Sequence, residues 1–285
     1  MKTFAALALA LFAAASALAR DYSFAVKVVG HGKPLILIPG LTCTGDVWDG
    51  TVAELKDKYE CHVLTLPGFG KQTPIDGPYL SHVRDDIIAY VKDKKLDHPA
   101  VIGHSLGGFM VFYLGIAEPK LFGKMVAVDG LPFLSVIFNP KATADSMKPM
   151  AEMIAKQMIT SKPAAFQASI KSNLAQEITD PKNVEAMDAF CKDSSPANVA
   201  EAMKEMMVTD LRGQVSVIQS PILLLAAGQW AKTDEQKKSL NEIYSSQIQP
   251  IPNAKLEVAW TARHFIMLDD PKFFYKAVKD FLASN

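Results

Sequence analysis

Ala100-Val-Ile-Gly103-His104-Ser105-Leu106-Gly107-Gly108 is the stretch that decides how this chain folds. A short apolar strand ends at Ile102, and Leu106 opens an apolar run of helical length that reaches about Ala117. Between them, Gly103 to Gly107 fits G-x-S-x-G. Five-residue patterns arise by chance, but this one lies between strand and helix, so Ser105 falls on the strand-to-helix turn. Such an elbow holds its serine in strained backbone geometry, and side chains at 103 and 107 would collide with it. The hydroxyl then projects at the carboxyl edge of the sheet, where open α/β folds place ligands. The bland alternative is a Ser/Gly helix cap. A phosphate loop is excluded, because the Gly-Lys-Ser/Thr ending is missing.

Strands and helices alternate outward from this elbow. Upstream, Phe24 to Val29 alternates weakly and reads as a first strand. Lys33-Pro-Leu-Ile-Leu-Ile-Pro-Gly40 reads as a strand buried on both faces. Residues 46–58 have helical spacing, Cys61 to Leu66 is a strand, and residues 81–95 form an amphipathic helix. Downstream come a strand over Lys124 to Val128, another over Pro221 to Ala226, a helix over 234–247, a strand from Lys255 to Val258, and a helix from Pro271 to about Leu282. This order implies right-handed crossovers and a mostly parallel, doubly wound α/β sheet. From Leu131 to Leu211 no strand-like run occurs, only four or five short helices holding eight of the twelve methionines. The expected organisation is therefore a core over residues 20–130 and 212–285, with a helical cap over 131–211.

Composition narrows the class. The chain has 285 residues, 49% of them hydrophobic and 21% charged, with 30 basic residues against 30 acidic. Such a chain is neither disordered, fibrous nor coiled-coil, and it has no bulk positive field for nucleic acid or an anionic membrane. Lys2, the apolar stretch from Phe4 to Leu18 and Ala17-Leu18-Ala19 make a three-part signal peptide cut after Ala19. The product is expected to be exported, periplasmic or secreted, without a stable membrane anchor, in an oxidising compartment. Cys43, Cys61 and Cys191 match no zinc spacing and allow one disulfide at most. Cys43 and Cys61 are poor partners, since they belong at opposite edges of the sheet. No metal or cofactor is expected.

A serine nucleophile needs a base. Of six histidines, His264 alone follows the last predicted strand, in a loop at the same sheet edge as Ser105. His104 neighbours the nucleophile but points elsewhere on the elbow, and the other four sit at strand starts or in surface segments.

Ile38-Pro-Gly-Leu41, Leu66-Pro-Gly-Phe-Gly70, the Gly103–Gly108 elbow and the His264 segment, in this order, resemble the α/β-hydrolase fold. They are most similar to its cap-bearing esterase, lipase and aminopeptidase-like members. The resemblance spans Ser23 to the end and implies a Ser–acid–His triad that hydrolyses through an acyl-enzyme. Its acid usually lies a few residues past the penultimate core strand, but that position here is Ala231. Asp234, three residues on, starts a helix and reads as its N-cap. Some members place the acid after the strand that follows the nucleophile helix, where this chain has Asp129-Gly130. Asp129 is the preferred acid and Asp234 the alternative. For the oxyanion hole, one donor is the N–H of Leu106 and the other comes from the loop after Ile38; the resemblance places it at Leu41.

The expected activity is serine hydrolysis of an ester of a small or medium apolar acid, with the methionine-rich cap as an adaptable pocket. Amide or carbon–carbon bond hydrolysis uses the same triad and stays open. A non-catalytic binding protein of this fold is the reading from another class.

Overall fold

The computed structural model describes residues 21–284. The expected signal peptide lies outside these residues. The chain runs β1 (Ala25–Gly30), β2 (Lys33–Ile38), α1 (Asp49–Leu55), β3 (Tyr59–Thr65), α2 (Tyr79–Asp93), β4 (Ala100–His104), α3 (Leu106–Ala117) and β5 (Met125–Val128). Then follow α4 (Ala144–Thr160), α5 (Pro163–Glu177), α6 (Pro181–Cys191), α7 (Pro196–Val208), β6 (Ile222–Ala227), α8 (Asp234–Ile248), β7 (Ala254–Ala259), α9 (Ile266–Asp269) and α10 (Pro271–Ala283). The seven strands form one sheet in the order β1-β3-β2-β4-β5-β6-β7. Every pairing is parallel except that of edge strand β1 with β3.

The central strands explain themselves. Leu35 to Ile38, Val101, Ile102, Met125 to Val128 and Ile222 to Ala226 have no exposed surface. Runs this apolar fit only a strand covered by helices on both faces. Each such Leu, Ile, Val or Met side chain contributes about 1.5–3 kcal/mol of burial. The outer helices carry stripes instead: Phe274, Ala277, Val278 and Phe281 of α10 are buried at i, i+3, i+4, i+7 spacing. Proline opens α5, α6, α7 and α10, where its missing N–H costs nothing.

Several element ends fall one or two residues from the sequence expectation, as where α2 begins at Tyr79 rather than residue 81, and two differences have a plain cause. Residues 46–58 divide into a 3-10 turn over Gly45–Trp48 and the shorter α1. Strand β3 begins at Tyr59 rather than Cys61, because its first residues pair with Lys33 and Pro34 at the start of β2.

Topology positions the site. Successive connections place β3 on one side of β2 and β4 on the other, so the loops leaving the carboxyl ends of β2 and β4 diverge and open a crevice. Register brings the loops together there: Ile38 pairs with Gly103, and His104 with Val128. Between β5 and β6 the described residues contain no strand. That segment, α4 to α7 with a 3-10 turn at each end, lies over the crevice.

Candidate active site

Ser105 lies between β4 and α3 with φ +54° and ψ −112°, outside the usual regions for a residue with a side chain. Its N–H donates to the Val128 carbonyl at 2.9 Å, which fastens the elbow to β5. A Cβ at Gly103 would strike the Gly107 carbonyl, and one at Gly107 would strike the Ile38 carbonyl. The glycines therefore hold the turn open to its own helix and to β2. Leu106 is the first residue of α3, where backbone N–H groups have no intrahelical acceptor and the helix dipole favours negative charge. Across the crevice, Cys43 N–H donates to the Gly40 carbonyl at 3.2 Å, closing a turn that carries Leu41. Leu41, Ser105 and His264 line one cavity.

His264 follows β7. Its Nδ1–H donates to Asp129 Oδ2 at 2.6 Å. The other carboxylate oxygen accepts from Ala227 N–H at 3.0 Å and from the Tyr244 hydroxyl at 2.8 Å. Asp129 occupies the turn after β5 in left-handed backbone, φ +47°, and its own N–H donates to Leu225 at 2.7 Å. Asp234 is the first residue of α8. Its helix is capped by Thr233, whose side chain accepts from Gln236 N–H, so the capping role expected of Asp234 belongs to its neighbour. Ala231 is buried.

Electrostatics follow from these contacts. Burial works to raise the Asp129 pKa, but the bonds from His264, Ala227 and Tyr244 outweigh it and keep the carboxyl below its ordinary value. Burial works to lower the His264 pKa, yet the Asp129 bond and the charges of Glu177 and Asp129 push it up to about 9. Burial raises Glu177, with His264 opposing and Asp129 reinforcing the shift. His104 is the reverse case. Burial and the nearby His264 charge drop it to about 3, so it is neutral. Its Nε2–H donates to the His264 carbonyl at 3.1 Å, and its ring lies 4.6 Å from the His264 ring. His104 thus braces the loop that carries His264.

The cavity has a volume of about 240 Å³. Its floor is the elbow, the Gly40–Thr42 turn, Asp129 to Leu131 and His264. Its roof comes from the segment between β5 and β6: Met158 of α4, Phe166, Ile170 and Glu177 of α5, Val199, Met203 and Met206 of α7. Three of the eight methionines of the expected cap thus reach the cavity. Met147 and Met187 pack in the core, and Met150 and Met153 face solvent. Arg263, next to His264, donates to the Ala175 and Ile178 carbonyls at the end of α5 at 3.2 and 3.1 Å, and to Gln229 at 2.9 Å. Glu205 of α7 accepts from the N–H groups of Tyr79 and Leu80, at the start of α2.

Sequence reasoning missed Glu177, Tyr244, Arg263 and the bracing role of His104. Tyr244 belongs to the buried stripe Leu240, Tyr244, Ile248, which betrays its burial but not its partner. Among the described residues no group of three His, Cys, Asp or Glu could hold a metal ion, and no helix is long and apolar enough to cross a membrane.

A mostly parallel α/β sheet with a serine elbow, an Asp-bonded histidine and an overlying helical segment is the architecture of an α/β hydrolase. The family model described as "Alpha/beta hydrolase family" matches residues 35–277, and the chain belongs to that family. Among curated proteins it is similar to the pimeloyl-[acyl-carrier protein] methyl ester esterase of Nitrosomonas europaea. They are 23% identical over 212 residues, covering 71% of this chain and 79% of that protein. Among solved structures it is similar to a hydrolase from Pseudomonas aeruginosa, with TM-score 0.75 and 21% identity, covering 92% of this chain and 94% of that one. An esterase from Exiguobacterium antarcticum gives TM-score 0.75 at 16% identity, covering 92% and 96%.

Proposed function

We propose that the chain is a serine hydrolase that cleaves esters of small or medium apolar carboxylic acids through an acyl-enzyme. The 2.6 Å bond from His264 Nδ1–H to Asp129 carries the proposal. It fixes the tautomer that leaves Nε2 free as a base in the cavity lined by Ser105. In the proposed reaction Ser105 Oγ attacks the ester carbonyl while His264 Nε2 takes its proton. The tetrahedral oxyanion is held by the N–H groups of Leu41 and Leu106. Such a donor supplies about 3–4 kcal/mol of transition-state stabilisation. His264 passes the proton to the departing alkoxide, which leaves as alcohol. Water, deprotonated by His264, then releases the acid and restores Ser105.

Substrate class is argued from the lining. Phe109, Leu131, Leu134, Phe166, Met203 and Met206 present apolar surface, and no Lys or Arg lines the cavity among the described residues. With Glu177 beside the base, an uncharged acyl chain is favoured over an anionic one. Esterase-named relatives support the ester bond. The N-terminal address adds export to the proposal. The test is labelling with a fluorophosphonate, mapped to its peptide, beside turnover of p-nitrophenyl esters. Label on Ser105 and loss of turnover in folded Ser105→Ala are expected. Wild-type turnover by that variant refutes the proposal.

A further inference from the structure

The segment over the cavity is fastened to the loop after β2 as well as to the loop after β7. Cys191, the last residue of α6, brings its Sγ to 2.7 Å from the Sγ of Cys43, two residues beyond Leu41. Backbone contacts hold both sides of this meeting point. Thr44 N–H donates to the Phe190 carbonyl at 3.2 Å. The Ser194 hydroxyl lies 3.0 Å from the Thr42 carbonyl and 3.1 Å from that of Cys191. Both sulfurs are buried. Non-bonded carbon atoms pack at roughly 3.5–4.0 Å, and sulfur is larger, so these two atoms are nearer than packing alone explains. Cys61 lies apart on β3, its thiol directed at the Tyr59 carbonyl.

We propose that Cys43 and Cys191 form a disulfide that locks the helical segment to the Leu41 turn, leaving Cys61 as the single thiol. Two thiols lose two protons and two electrons, and one S–S bond forms. The electrons and protons pass to a disulfide oxidant, a protein disulfide or glutathione disulfide, which becomes two thiols by exchange through a mixed disulfide. In the cell such an oxidant is met by exported chains, so the setting rests on the export proposed above, but the pairing does not. Contact with Cys191 and burial hold the Cys43 thiol well above its ordinary pKa. Exchange therefore takes place during folding, before α6 docks and hides the pair. The closed loop spans 148 residues, so the bond constrains most of the cavity-forming chain.

The experiment counts thiols. The full-length chain is produced in an oxidising folding compartment and purified without reductant. It is checked for a cooperative melt, then unfolded in guanidinium and treated with maleimide for intact and peptide mass spectrometry. One maleimide on Cys61 and a cross-linked peptide joining Cys43 to Cys191 are expected, changing to three maleimides after dithiothreitol. Reduction should also lower the Tm, on the order of 5–10 °C. Three maleimides without reductant on the cooperatively melting protein, or a cross-link that includes Cys61, overturns the proposal. Neither outcome depends on esterase activity, so this proposal and the catalytic one fail separately.

Discussion

Asp129→Asn is the substitution that most directly probes how the site works. The carboxylate accepts three hydrogen bonds, from Ala227 N–H, the Tyr244 hydroxyl and His264 Nδ1–H. An asparagine of the same shape keeps two of them if its carbonyl faces Ala227 and Tyr244. Its NH₂ then meets Nδ1, which must give up its proton. The imidazole takes the tautomer protonated on Nε2 and can no longer accept the Ser105 proton. Flipping the amide restores the Nδ1 bond but sets NH₂ against Ala227 N–H, leaving a buried donor unsatisfied at about 1–3 kcal/mol. In either rotamer the negative charge that stabilises the imidazolium is gone. The expected loss in kcat is on the order of 10⁴, equivalent to about 5.5 kcal/mol. Asp234→Asn, one residue past the Thr233 cap, should change kcat less than about twofold, since exchanging one good first-turn residue for another costs a few tenths of a kcal/mol. Initial rates and burst amplitudes on one p-nitrophenyl ester, with melts to verify folding, compare the two variants. A folded Asp129→Asn enzyme within tenfold of wild type refutes the tautomer argument, and a crippled Asp234→Asn relocates the acid.

Four further outcomes follow from the same geometry. His264 works as a base only when neutral, so kcat/KM should rise with pH as the ring, pushed up to about 9, loses its proton. The acid limb then sits above the ordinary histidine value of about 6.5. Glu177→Gln removes a charge that favours the imidazolium and should move that limb to lower pH by up to about one unit; a stationary limb contradicts this. Met158→Ala and Met203→Ala widen the roof, so steady-state kinetics across acyl lengths should show longer chains gaining over acetyl esters; equal losses at every length point to packing alone. Gly107→Ala places a methyl in the Ile38 carbonyl and should destabilise the fold by about 3 kcal/mol in a urea melt, a cost that unchanged stability would disprove.

Local chemistry made the frame legible. Leu35 to Ile38 and Leu223 to Ala226 are apolar without alternation, which only a two-sided burial explains, and the Gly-flanked serine marks where β4 turns into α3. The placement of Asp129 was open to sequence reasoning for the same reason, since it directly follows a wholly buried strand. Pairings across long chain distances were not. Glu177 ends a helix whose flanking Gln176 and Thr179 are exposed, so it reads as one more solvated carboxylate until the fold lays α5 over His264. Cys43 and Cys191 lie in segments with no shared local pattern. The edge strand β1 alternates only weakly, which showed a strand but not that it would pair antiparallel.

Arg263 gives the overlying segment and the His264 loop a shared anchor. Its guanidinium grips the carbonyl end of α5, and its backbone is continuous with His264. A cation there also complements the helix dipole. The segment between β5 and β6 is therefore not an interchangeable module. Replacing its helices with ones that end elsewhere would remove the Ala175 and Ile178 carbonyls, leave the guanidinium only Gln229, and loosen the loop after β7. Chimeras should keep Arg263 together with the last turn of α5, or exchange both. A change at the end of α5 therefore bears on the position of His264 as well as on the cavity, whereas changes at Met158 of α4 or Met203 of α7 reach the cavity without touching this anchor.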